Sequence, residues 1–129
     1  MANGAVSWSS KLQSVVALST TEAEYVAAVS TGTEAIWMRS FLGELGYDMS
    51  GASLINMDNQ SAIAVGRNPE HHGRMKHLNL RLFWLRDAVE AKRLRLEFIP
   101  TREMVADALT KALPRQAMEE CRALMGLRE

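Results

Sequence analysis

Three kinds of residue in this chain have the type and spacing to do chemistry: carboxylates, a histidine cluster and a basic run. Asp58 follows the apolar run Ser53–Met57, and an aspartate at the carboxyl end of a buried strand stands where open α/β sheets usually place ligands. The string Asp58-Asn59-Gln60-Ser61 reads equally well as a helix start with Asp58 as its N-cap. His71, His72 and His77 cluster, but adjacent loop histidines cannot easily share one ion. No cysteine pair or Glu-x-x-His pattern accompanies them, so zinc is not expected. His77, beside Arg74 and Lys76, either lines a phosphate-binding side or packs a loop. Cys121 lies at helical spacing from Met118, Leu124 and Met125 and reads as a core or interface thiol; as the single cysteine it excludes an internal disulfide. Trp8, Trp37 and Trp84 read as core packing rather than base stacking.

The formal net charge is zero, which argues against a free-standing nucleic-acid binder held mainly by counterion release. The distribution is uneven. From Glu22 to Asp58 six acids face one base, a net −5, and from Arg67 to Arg95 eight bases face three acids, a net +5. One half can hold cations and the other phosphates, or the two are solvated faces of opposite bias.

These residues must be positioned by elements that the pattern outlines. A chain of 129 residues with 47% hydrophobic content is expected to form one domain, residues 1–129, around one core. Ala5–Ser9 and Val15–Leu18 are short runs of strand-forming residues around the polar turn Ser10-Lys11-Leu12-Gln13, so an extended entry is expected. Ser19-Thr20-Thr21-Glu22 is a capping box opening a helix whose stripe is Tyr25, Val29, Gly32 and Ile36, running to about Leu45 and stopped by Gly46. Ser53–Met57 predicts a buried strand, Ser61–Val65 a short helix and Lys76–Ala91 an amphipathic helix. Leu94, Leu96 and Phe98 alternate as a strand, parallel to that at Ser53, and a late helix is expected from Arg102, pausing near Pro114. With no signal pattern and no run long enough to span a bilayer, the expected setting is intracellular, cytoplasmic or nuclear, with no membrane partner.

Val6-Ser7-Trp8-Ser9-Ser10-Lys11-Leu12-Gln13 and Ala17-Leu18-Ser19-Thr20-Thr21-Glu22-Ala23-Glu24-Tyr25 resemble the SWSSKKQ…ALSSTEAEY signature of the ribonuclease H domain of Ty1/copia-type retrotransposon polyproteins. The resemblance continues through Glu34-Ala35-Ile36-Trp37 with Arg39, Asp58 to Ile63, Lys76-His77-Leu78 with Arg81, Phe98 to Thr101, and Ala106 to Pro114. It implies an α/β, ribonuclease H-like fold, here truncated to a mixed sheet of about three strands with flanking helices. It also implies two-metal hydrolysis, with Mg²⁺ or Mn²⁺, of the RNA strand of an RNA–DNA hybrid. Two hard cations bridged by a phosphate need several carboxylates. By motif position these are Glu24, Asp58 and Asp107, while Glu22, two residues earlier, reads as the capping carboxylate. Arg74, Lys76, His77 and Arg81 are the expected nucleic-acid contacts. A YSDADWA-like segment, whose aspartate bridges both metals, and a second strand precede the SWSS block in the family and are not found ahead of Ala5. Impaired catalysis and a homodimer or higher oligomer are therefore expected, and the alternative function is an inert, retroelement-derived binding or oligomerisation module.

Overall fold

The computed structural model describes residues 3–67 and 79–127. They fall into two compact units, one from Val15 to Phe98 and one built from the two ends of the chain, up to Ser14 and from Ile99.

The larger unit opens on Ser19, whose extended backbone (φ −154°, ψ 162°) and side-chain oxygen cap helix α1, Thr20–Glu44. The hydroxyl accepts the Glu22 amide proton at 3.1 Å. The reciprocal half differs from expectation: the Glu22 carboxylate accepts from the amide of Leu18 rather than of Ser19. α1 ends as its sequence predicts. Gly46 adopts φ 87°, which lets its amide bond the Gly43 carbonyl and that of Tyr47 bond Leu42, each at 3.0 Å. Strand β1 (Ser53–Met57), helices α2 (Gln60–Arg67) and α3 (Asn79–Glu90) and strand β2 (Leu94–Phe98) follow. The strands pair in parallel, Ser53 opposite Leu94 and Met57 opposite Phe98, as expected for strands joined through helices.

The sheet has two strands instead of about three. Residues 5–18, expected to supply strands, form none. Their strand-forming residue types favour an extended backbone, but a strand needs a hydrogen-bonded neighbour, and here Trp8, Leu12, Val16 and Leu18 face solvent, Leu12 fully. Packing comes instead from α1 to α3 on the sheet: Tyr25, Val29, Ile55, Ile63, Leu85, Leu94 and Leu96 are among the buried core.

Three relationships fix the direction of α1. Arg39 donates to the Ser53 hydroxyl at 3.1 Å at the start of β1, Gly32 faces Leu94 at the start of β2, and Gly66 sits between Tyr25 and Leu96. α1 therefore runs antiparallel to the strands, with its first turn toward their carboxyl end.

In the smaller unit, the Ala5 amide bonds the Met125 carbonyl at 2.8 Å and the Ser10 hydroxyl the Leu109 carbonyl at 2.9 Å. The late helix expected from Arg102 is replaced by two 3-10 turns, Thr101–Glu103 and Val105–Leu109. Met104, extended at φ −75°, ψ 96°, interrupts the helical ladder between them. Helix α4, Arg115–Leu124, begins after Pro114 and buries Cys121. It ends on Gly126 at φ 71°, where a Cβ would also collide with the Asn3 carbonyl. No described helix is long and apolar enough to cross a membrane.

Candidate functional site

Asp58 is the first residue beyond β1 and is half-buried. It is not the cap of α2. The Asn59 side-chain oxygen accepts the Ala62 amide proton at 3.0 Å, and the Asn59 carbonyl takes the first helical bond, from Ile63. Of the two readings the sequence left open for Asp58, the capping one belongs to its neighbour, and Asp58 keeps the position at the carboxyl end of a parallel strand, one buried on a single face rather than on both as expected.

The first turn of α1 points to that same end of the larger unit and carries two carboxylates. Glu22 is 1% exposed and buried with Tyr25, Val29 and Gly32, on the stripe that faces the sheet. Glu24 is half-buried and lies about 200° around the helix from Glu22. The apolar stripe Tyr25, Val29, Gly32, Ile36 carried the signal for this: continued three residues toward the N-terminus, it lands on Glu22. Burial also acts on the neighbouring phenol, since desolvation pushes the Tyr25 pKa up to about 12, partly offset by the Arg86 guanidinium.

Asp107 belongs to the smaller unit, in the 3-10 turn Val105–Leu109 rather than in the expected helix. Its Oδ2 lies 2.8 Å from Lys111 Nζ; the Asp107 side chain is 15% exposed and that of Lys111 53%. Arg74, Lys76 and His77, with His71 and His72, lie outside the described residues; Arg81 is in α3, its side chain outside the described part.

Carboxylate oxygens are the donors that Mg²⁺ and Mn²⁺ prefer, so the donor class at the end of β1 fits such a cation. Among the described residues, no three His, Cys, Asp or Glu side chains gather as a metal-holding group. A two-ion site would need more ligands than these residues bring together.

Over 124 residues, 96% of its length, the chain is 48% identical to the Retrovirus-related Pol polyprotein from transposon TNT 1-94 of Nicotiana tabacum. It is 39% and 38% identical, over 122 residues each, to the corresponding polyproteins from transposons RE2 and RE1 of Arabidopsis thaliana. The chain is homologous to a segment of retrotransposon Pol polyproteins. It spans 9% of the tobacco relative and 8% of each Arabidopsis one, so what those polyproteins do as wholes is not carried over with the similarity. No family model and no solved structure matches this Pol-related segment.

Proposed function

We propose that this Pol-related segment is a ribonuclease H-like domain that hydrolyses the RNA strand of RNA–DNA hybrids. The observation that carries the reading is Asp58: a half-buried carboxylate at the carboxyl end of a parallel strand, relieved of helix capping by Asn59. The residues proposed to act are Asp58, Asp107 and Glu24, with Glu22 competing for the place of Glu24 because it is the one on the sheet-facing stripe. Mg²⁺ or Mn²⁺, held by Asp58 and the acidic first turn of α1, would supply activated water and stabilise the leaving oxygen. Within the larger unit, the chain's own contribution is to hold Asp58 and the first-turn carboxylates of α1 at one end of the helix–sheet layer. Purified chain, given a labelled RNA–DNA hybrid with Mg²⁺ or Mn²⁺, should release RNA fragments slowly, and Asp58→Asn should stop the release. An unsubstituted chain with no metal-dependent cleavage would overturn the reading.

A second reading is a binding or oligomerisation module. It is favoured by apolar side chains left in solvent, Val6, Trp8, Leu12, Val16 and Leu18 in the N-terminal segment and the stacked pair Trp37 and Phe41 on α1. It expects a homodimer or higher oligomer by light scattering at micromolar concentration. A mass near the single-chain 14.4 kDa would remove the oligomerisation form of it.

A further inference from the structure

Between the C-terminal end of α2 and α3 lies a cavity of about 340 Å³, lined by Gly66, Arg67, Arg86, Val89 and Glu90. The wall at residue 66 is bare backbone because the core behind it has no room: a Cβ there would lie 2.7 Å from Leu96 Cδ1 and 3.6 Å from Tyr25 Cε2. Two arginines line the space, and each has a partner within the larger unit. Arg67 donates through one terminal nitrogen to the Leu96 carbonyl. The Arg86 guanidinium sits 4.8 Å from the centre of the Phe83 ring, near enough to the buried Tyr25 phenol to act on its charge. An arginine held in this way loses little further rotamer freedom when it takes a ligand. Against the two cations the lining sets one carboxylate, Glu90.

We propose that this cavity seats a phosphate group of a nucleic-acid strand, with Arg67 and Arg86 as its donors. Guanidinium forks match phosphate oxygens in pairs, and the volume is at the small end of the roughly 300–1,000 Å³ found for ligand sites. Phe83, 40% exposed, adds an apolar surface beside Arg86. The proposal rests on the hydrolase reading only for the identity of the strand, and its test needs no metal and no cleavage.

The experiment is fluorescence anisotropy of a labelled RNA–DNA hybrid in EDTA across a range of NaCl concentrations. One phosphate contact contributes roughly 0.7–0.9 to the slope of log K against log salt. Arg86→Gln should make that slope shallower by about one contact and weaken binding several-fold, whereas Arg86→Lys, which keeps the charge, should retain the slope. Glu90→Gln should tighten binding several-fold, an effect that a merely structural role would not give. Arg67 also holds the Leu96 carbonyl, so the two α3 positions carry the test, with a thermal melt to verify the fold. Inorganic phosphate should compete with the hybrid on the unsubstituted chain and lose that effect on Arg86→Gln. Slopes unchanged in Arg86→Gln together with unchanged affinity in Glu90→Gln would overturn the proposal. So would Arg86-dependent binding of inorganic phosphate with an unaffected hybrid slope, which would make the seat one for free phosphate. A chain that shows the slope change yet never cleaves the hybrid keeps the phosphate seat and loses the hydrolase reading.

Discussion

The Asn59 side-chain oxygen accepts the Ala62 amide proton at 3.0 Å, and Asp58, one residue earlier, stands outside the helix at the end of β1. Capping and chemistry are thereby divided between adjacent residues and can be separated by substitution. Asn59→Ala should cost about 1 kcal/mol of unfolding free energy, with cleavage affected only through stability. Asp58→Asn should leave stability within about 0.5 kcal/mol and abolish metal-dependent cleavage. Urea titration beside the hybrid assay checks both, and a large loss of stability in Asp58→Asn would make that carboxylate structural.

Glu22 and Glu24 can be told apart in the same way. Glutamine serves in a capping box as glutamate does, so Glu22→Gln should still accept the Leu18 amide proton and keep α1 intact by circular dichroism. If the buried stripe supplies the site carboxylate, Glu22→Gln loses cleavage and Glu24→Gln retains it. The opposite pattern returns the role to Glu24, the residue that the motif match selects.

Tyr25 gives the larger unit a limit in alkali. Its pKa is about 12 in the folded chain against 10.0 for the free group, raised by burial. Between those values the unfolded chain releases a proton that the folded chain keeps, so this contribution to stability is complete below pH 10 and is lost as pH rises through 12. Unfolding free energy measured from pH 9 to 12 should fall across that window. In Tyr25→Phe the Tyr25 part of the fall should vanish; an unaltered profile would assign the loss to other groups.

Helix α3 ends on Lys92, whose φ is 56°. The geometry matches the ends of α1 and α4, with the Lys92 amide bonded to Val89 and the Arg93 amide to Ala88, each at 3.0 Å, but those helices use glycine at the turning residue. A side chain in the left-handed region costs roughly 1–2 kcal/mol. Lys92→Gly should therefore raise stability by about 0.5–1 kcal/mol after glycine's own entropic cost. Thermal or urea unfolding reads this directly, and a destabilised variant would show that the Lys92 side chain contributes more than its backbone strain removes.

Signals confined to one helical turn were legible in the sequence. Ser19 and Gly46 mark the ends of α1, and the alternation at Leu94, Leu96 and Phe98 marks β2. The parallel pairing of β1 with β2 followed from the helices between them. What depends on distant neighbours was not legible. Ala5–Ser9 and Val15–Leu18 carry strand-forming residue types, but residue type does not supply the partner that a ladder needs. Asp58 and Asn59 are both good caps, and only the fold shows which side chain turns back on the helix. Met104 carries no breaker signature, so the division of the expected late helix into 3-10 turns could not be read from residue types.

Arg39 reaches from the far half of α1 to the carbonyls of Met49 and Gly51 and to the Ser53 hydroxyl. These contacts close loops of 10, 12 and 14 residues, whereas β1 meets β2 across 41 residues, from Ser53 to Leu94. Short loops close at lower entropic cost and sooner than long ones. The expected order of assembly is that α1 docks the approach to β1 as a local hairpin of helix and strand before β2 pairs with it. Arg39 is then expected in the folding nucleus: Arg39→Ala should slow refolding in stopped-flow measurements, whereas changes in β2 should mainly hasten unfolding.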